Sequence, residues 1–577
     1  MIDKYTDDKA TQMVLALLKA HGIKKVIASP GTTNIALVAG MQLDPWFEMY
    51  SSVDERSAAY MACGLSSESG EPVVITCTGA TASRNYYPGI TEAYYRKLPI
   101  LAITGFQSDE AKGHLYAQSL DRTVQPKDSF IMSVEVGKIR DYQDEWLAEI
   151  NINSAILELT HRGGGPVHIN LREATYGTFN TEKIPEVRKI SRYVKSDSLP
   201  EISNKTIAFF IGAHKTFSPH ETKVIEEFCE KYDAVVFADH TSGYYGKYKI
   251  QYSLLGTQAN INCIHNVDLL LHIGEVSGDY YSLGKIQSTE TWRISEDGII
   301  RDRFKNLTNV FEMSITDFCS FYISLDQNFK KEDSKQYEEC VVKYNNILEN
   351  IPELPFGNIW IAKHLHDKLP QMSILHLGIL NTLRSWNFFE LDNTIKTSCN
   401  VGGFGIDGIL STSLGASLAN KGIIHFVVTG DLAFFYDINS IGNRHVCSNL
   451  RVLLINNGKG TEFRNYDHPA SKWGDEADLF FAAGGHFGNQ SPSLVKCYAE
   501  NLGFNYYSAN NKEEFLAVIG YFLDPNFSHK PLLLEVMTNS IDESNALRLV
   551  RHIIPDNRSF FEKVYDKSKF IINNIVK

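Results

Sequence analysis

Along the chain, short apolar runs end in Gly, Ser or Asn turns and give way to amphipathic stretches, the alternation expected of parallel sheets flanked by helices. In a first block, about 1–180, the pattern predicts a helix over Thr11–His21, a turn at Ser29-Pro30-Gly31, and strands over Lys25–Ala28, Pro72–Cys77, Pro99–Thr104 and Pro166–Leu171. The polar stretch Arg172–Pro200 lacks periodicity and reads as a linker. A second block, 201–340, predicts strands over Ile207–Gly212, Ala234–Ala238 and Val267–Ile273, a helix over His220–Tyr232 and a charged surface helix over Lys330–Glu339. A third, 355–540, predicts strands over Ile374–Leu377, His425–Thr429, Arg451–Ile455 and Pro531–Val536, and 541–577 reads as a helical tail. The fold class expected is α/β, with three domains that each carry a mainly parallel sheet flanked by helices. A length of 577 residues agrees, being too great for one core.

Charge and cysteine usage narrow the partners. A net charge of −12 repels phosphate backbones, so no nucleic-acid partner is expected. No apolar run reaches the roughly 18 residues that span a bilayer. The N-terminus is polar at once and does not read as a signal peptide. The chain is therefore expected to be cytoplasmic, with no membrane partner. Nine cysteines with no CxxC pair fit a reducing compartment and argue against a zinc ribbon. The histidines form no HExxH motif and no Cys/His cluster, which argues against zinc.

The densest chemistry lies in HFVVTGDLAFFYDINSIGNRHVCSNLRVLLINNGKG. A strand ends at Gly430-Asp431, a helix of about a dozen residues is expected next, and a second strand ends at Asn456-Asn457. A right-handed crossover puts both strand ends on one edge of a sheet, the edge where open α/β sheets bind ligands. One carboxylate from Asp431 and one amide oxygen from Asn457 suit Mg2+, which keeps its other ligands from water and phosphate oxygens. The Lys459 carbonyl is a further candidate ligand, with Gly458 and Gly460 allowing close backbone approach. The alternative is a pair of ordinary strand-end turns.

Gly430-Asp431-Leu432 followed by Asn456-Asn457 resembles the signature of thiamine-diphosphate (ThDP) enzymes, a Gly-Asp-Gly with Asn-Asn some distance on. Leu432 stands where that signature has Gly, and one branch of the family, the menaquinone-pathway 2-succinyl-5-enolpyruvyl-6-hydroxy-3-cyclohexene-1-carboxylate synthase, also carries Gly-Asp-Leu there. Asp54-Glu55-Arg56-Ser57-Ala58, Gly165-Pro166-Val167-His168-Ile169-Asn170-Leu171 and Gly405-Ile406-Asp407-Gly408-Ile409-Leu410-Ser411 resemble the same branch. The likeness covers the first and third blocks in order and is weaker over the middle one. It implies a pyrimidine-binding domain (1–180), a central domain (201–340) and a diphosphate- and metal-binding domain (355–540).

It also implies ThDP and Mg2+ as cofactors, with Asp431, Asn457 and Lys459 on the metal. Asn381, Gly405, Ile406, Gly430 and Leu432 would line the cofactor. Glu55 would be the catalytic carboxyl on the pyrimidine N1′, buried and with a raised pKa, and Gln118 an active-site amide. FAD is not expected in the central domain. The reaction implied is decarboxylation of a 2-oxo acid with transfer of the acyl unit to an acceptor. The partners are then those two small molecules and a second copy, in a homodimer or homotetramer with interfacial active sites.

The bland alternative for Glu55 is a helix N-terminal acid beside Arg56. Alternative functions are a simple 2-oxo acid decarboxylase, a non-catalytic ThDP binder, or a nucleotide-binding protein using Gly403-Phe404-Gly405-Ile406-Asp407-Gly408, a weak GxGxxG match.

The chain departs from the menaquinone branch where substrate carboxylates would be clamped. Thr32 and Thr33 follow the Pro-Gly turn where that branch has Ser-Arg, and Val401 stands in place of an arginine. Both losses argue against the menaquinone substrates. Thr461, Glu462 and Arg464, after the Asn pair, are candidate replacements facing a polar acceptor. Alternatively, Glu462 and Arg464 pair with each other on the surface.

Overall fold

A computed structural model of the chain describes residues 5–106, 111–121, 124–172, 177–202, 205–258, 266–283, 285–325 and 335–554. Among these the strands form three parallel sheets flanked by helices. The first has the order β2-β1-β3-β4-β6-β5, with β1 Lys25–Ala28, β2 Glu48–Ser51, β3 Val73–Thr78, β4 Ile100–Phe106, β5 Met132–Val136 and β6 Val167–Arg172. The second has the order β10-β9-β8-β11-β12-β13-β7, with β7 Ser191–Val194, β8 Ile207–Ile211, β9 Val235–Ala238, β10 Lys249–Gln251, β11 Asn266–Ile273, β12 Gln287–Ile294 and β13 Leu307–Glu312. The third has the order β15-β14-β16-β17-β19-β18, with β14 Ile374–Leu377, β15 Lys396–Ser398, β16 His425–Gly430, β17 Leu450–Asn456, β18 Asn505–Ala509 and β19 Leu532–Met537.

Two compact units result. Among the described residues, one comprises those within 5–193 together with 298–310, the other those within 194–297 together with 311–554. In the first, β3 and β4 are buried throughout except for Thr78, and their apolar side chains feed a core on each face, as a sheet covered on both sides requires. In the second, β17 (LRVLLIN) is buried at every position and its Val452 and Leu454 anchor the core beneath the helix Ile409–Ala419.

Two expectations change. The supposed linker 172–200 contributes β7, and Thr181 bridges to Tyr5. The helix after Asp431 is short, Asp431–Tyr436, followed by a 3-10 turn over Ile438–Gly442. Asp437 ends it, because its carboxylate is turned back to accept from Ser411 N (2.6 Å) and Ser411 Oγ (2.5 Å) on the neighbouring helix. Of the charged helix expected over Lys330–Glu339, residues 335–339 are described, and the observed helix is Gln336–Glu349. The tail forms the helix Ser540–Arg551; residues beyond 554 lie outside the described ones.

Candidate active site

In the second unit, β16 pairs with β17 in parallel, Gly430 opposite Ile455, so Asp431 and Asn457 leave the sheet at the same edge. Asp431 is buried at the first position of its helix. Its Oδ1 accepts from Leu432 N (2.8 Å) and its Oδ2 from Gly458 N (2.5 Å). The second bond ties the two strand ends together, and Gly458 makes it possible with φ +77, a conformation L side chains resist. Burial pushes the Asp431 carboxyl up to about 6, against the pull of those backbone donors.

The two members of the Asn pair point apart, as alternate residues leaving a strand do. Asn456 is buried and donates to Glu535 Oε1 on β19 (2.7 Å), whose Oε2 accepts from Tyr506 (2.8 Å). The Asn456 carbonyl accepts from Gln490 Nε2 (2.7 Å) and Thr538 N (3.0 Å), which pins the end of β17. Asn457 is half-buried, and among the described residues its Oδ1 receives a long contact from Lys459 N (3.4 Å). Among the described residues no three His, Cys, Asp or Glu side chains cluster in a metal-binding arrangement. The donors here are one carboxylate, one amide oxygen and a backbone carbonyl. That set fits a hard divalent cation completed by diphosphate and water oxygens.

Other predicted residues lie on segments of the same unit. Asn381 opens the helix Asn381–Trp386 after β14 and receives Asn465 Nδ2 at 3.5 Å. The glycine run 402–405 is exposed, and Gly408, with φ +84, starts the next helix. Residues 399–408 separate β15 from that helix, which is not the tight strand–turn–helix of a dinucleotide loop.

Glu462 and Arg464 do not pair with each other. Glu462 Oε1 accepts from Arg384 Nη1 at 2.6 Å, while Arg464 bonds Asp475 and Asp478, both at 2.9 Å. The Lys459 ammonium also grips Asp478, fastening the 469–480 segment to the edge. Thr461 is buried, and its Oγ1 has no hydrogen-bond partner among the described residues. Val401 is buried against Gly278, whose added Cβ would sit 3.0 Å from Val401 Cγ1. It packs there, where the resemblance leads one to expect an arginine.

In the first unit, Asp54 caps the helix Glu55–Ser69 by accepting from Ser57 N (3.0 Å), which sets Glu55 at the helix's first position. Glu55 is half-buried rather than buried. Its Oε2 accepts from Asn85 Nδ2 at 3.2 Å, and Arg56 leans toward Asp54 (3.9 Å) instead. Val53 (79% exposed), Tyr60 and Met61 leave an apolar surface beside it. Thr32 is exposed. Thr33 is buried and its hydroxyl donates to the Gly105 carbonyl (2.8 Å). Gln118 is exposed with φ +62.

Sequence reasoning missed Arg384, Asn85, Asp478 and Glu543. Arg384 lies one helical turn from Asn381, a spacing that could have drawn attention to it. Glu543 is buried, accepting from Asn358 N and Thr538 Oγ1, both at 2.9 Å, and burial pushes its carboxyl up to about 7. A carboxyl raised in the folded state binds more protons folded than unfolded. Its contribution to stability is complete below its ordinary value of 4.5 and is lost as pH rises through about 7. The variant E543Q should therefore gain melting temperature relative to wild type between about pH 5 and pH 8. A difference that stays flat with pH would exclude a titrating Glu543.

A family model described as the thiamine pyrophosphate enzyme N-terminal TPP-binding domain matches residues 8–125. The 2-succinyl-5-enolpyruvyl-6-hydroxy-3-cyclohexene-1-carboxylate synthase of Bacteroides fragilis is 31% identical over 579 residues, covering 95% of this chain and 99% of that protein. The chain belongs to the thiamine-diphosphate-dependent enzyme family. The synthase of the same name from Bacteroides thetaiotaomicron is 30% identical over 95% of this chain. A Rhodococcus jostii RHA1 thiamine diphosphate-dependent 4-hydroxybenzoylformate decarboxylase structure aligns over 92% of the chain at 15% identity and a TM-score of 0.37, a likeness too low to add to the sheets described above. The protein is thus a thiamine-diphosphate-dependent enzyme, and no helix among its described residues is long and apolar enough to cross a membrane.

Proposed function

We propose that this family member decarboxylates a 2-oxo acid and passes the acyl unit to an acceptor, using Mg2+ with its thiamine diphosphate. The observation that carries the reading is the Asp431–Gly458 bond, which draws the Gly-Asp and Asn-Asn strand ends to one spot. Asp431, Asn457 and the Lys459 carbonyl would hold the metal, and Asn381, Gly405, Ile406, Gly430 and Leu432 would line the cofactor.

Thiamine diphosphate, when bound, supplies the electron sink into which the bond to CO2 breaks. The chain's share is placement and proton control. Glu55 would hold a proton at the pyrimidine N1′, and Gln118 would face the substrate. The three sheets would correspond to pyrimidine, central and diphosphate domains at 1–180, 201–340 and 355–540.

A homodimer or homotetramer, with Glu55 of one copy serving the cofactor of another, accounts for apolar surface on both units. Val53 and Met61 stand out beside Glu55, and Leu479 and Phe480 on the segment after Lys459. A second copy would also complete the burial of Glu55 that its catalytic role requires.

The test is CO2 release across a panel of 2-oxo acids with thiamine diphosphate and Mg2+, with and without candidate acceptors, alongside the solution mass. Cofactor-dependent release on a particle of two or four 65.0 kDa chains is the expected result. Bound cofactor with no release from any oxo acid would overturn the decarboxylase reading.

A further inference from the structure

The candidate metal ligands Asp431 and Asn457 leave two strand ends, and one short segment touches both. It is 485–490, between the helices Ala477–Phe480 and Leu494–Asn501. Phe487 stacks on Phe435 of the Asp431 helix, with ring centroids 4.5 Å apart. Asn489 lies against Gly458, where an added Cβ would sit 2.6 Å from Asn489 Oδ1. Gln490 Nε2 donates to the Asn456 carbonyl and to the Thr538 carbonyl, both at 2.7 Å. Both acceptors are carbonyl oxygens, which only the NH2 end of the side chain can serve.

The backbone of this segment is left-handed at almost every residue. φ is +83 at Gly485, +51 at Phe487, +73 at Gly488, +42 at Asn489 and +66 at Gln490. Glycine is at ease there and asparagine tolerates it, whereas phenylalanine and glutamine resist it. Strain of this kind persists only where surrounding contacts over-determine it, and it gathers at functional sites. At Gln490 those contacts are the two bonds to the ends of β17 and β19.

The Asn456 carbonyl and the Asn457 Cα share one rigid peptide plane. Gln490 Nε2 and Thr538 N (3.0 Å) both donate to that carbonyl, so the plane resists turning. Thr538 is itself fixed, its hydroxyl donating to the buried Glu543 at 2.9 Å. Among the described residues the Asn457 side chain has one long contact, from Lys459 N at 3.4 Å, so its aim is set by its backbone.

We propose that Gln490 is a positioning residue for the metal site, aiming the Asn457 amide oxygen through the Asn456–Asn457 peptide. This rests on the reading of Asn457 as a metal ligand.

The test is calorimetric titration of the full chain with thiamine diphosphate at graded Mg2+ and, separately, at graded Ca2+. Mg2+ demands near-ideal octahedral geometry, whereas Ca2+ accepts about six to eight oxygens in looser array. A misaimed ligand therefore costs Mg2+ more than Ca2+, while a general loosening of the fold costs both alike. Q490M removes the donor and keeps the length. It should raise the half-saturating Mg2+ concentration by about tenfold, in the range lost when a partner behind a ligand is removed, and that of Ca2+ by less than about threefold. In N457A, which has no amide oxygen to aim, adding Q490M should raise the Mg2+ requirement by less than about twofold more. Should Q490M fail to fold, Q490G takes its place, since glycine is unstrained at φ +66.

A Mg2+ requirement within about twofold of wild type in the position-490 variant overturns the proposal. So does an equal loss for both cations, or a loss in the N457A background as large as in the wild type. An N457A chain that needs no more Mg2+ than wild type is a different result. It removes the reading of Asn457 as a ligand, and this proposal with it.

Discussion

Replacing Asp431 with asparagine should weaken Mg2+-dependent binding of thiamine diphosphate by at least about a hundredfold, or about 2.7 kcal/mol. Asparagine has nearly the same shape, but its single oxygen can serve only one of the two backbone donors, Leu432 N or Gly458 N, and its NH2 faces the other. What it lacks is the charge a hard cation needs from its one carboxylate ligand. In the absence of metal that charge is a burden, since burial already drives the carboxyl up to about 6. Relief of that charge opposes the loss of one backbone bond, so the apo variant should still fold and melt cooperatively, which separates loss of the metal from loss of the fold. Calorimetric titration of cofactor with and without Mg2+ reads the effect. An unchanged affinity would leave Asp431 as no more than a turn residue.

Glu55→Gln should act on the chemistry and spare binding. Cofactor affinity is expected to stay within about threefold, while CO2 release falls by about 10²–10⁴, the usual loss when a positioned proton carrier is removed. The glutamine can still accept from Asn85, and the Asp54 cap is untouched, so the helix Glu55–Ser69 has no reason to fray. Turnover that survives unchanged would return Glu55 to the plain role of a helix N-terminal acid.

The central strands were legible in the sequence because they are buried on both faces. Lys25–Ala28 and Ile374–Leu377 have the bounds expected of them, β16 is longer by one residue at one end, and β17 by one residue at each end. The strands that escaped notice lie at edges or carry polar halves. Met132–Val136 and Asn505–Ala509 end their sheets and are mostly half-exposed, while Gln287–Ile294 alternates exposed and half-buried residues for its first half. Such strands take their identity from a neighbour's hydrogen bonds and not from their own apolar pattern.

The site divides the same way. Asp431 and Asn457 could be paired from spacing, since a strand–helix–strand unit fixes where both strands end. The Arg384–Glu462 bond joins residues 78 apart, which no local pattern reports. Thr33 and Val401 were correctly seen as lacking a guanidinium. That both side chains are buried in packing and backbone bonding needed the fold itself.

The contact between Thr33 and Gly105 also bears on how this enzyme could be evolved in the laboratory. A Cβ at position 105 would lie 1.8 Å from the Thr33 carbonyl oxygen, so the end of β4 and the turn above it are interlocked at a single glycine. Randomising position 33 or 105 in a selection for new substrates should yield mostly unfolded clones, whatever the selection rewards. Thr32, one residue earlier, is exposed and is not part of that interlock. Variation in a library belongs there, where diversity is not spent on chains that never fold.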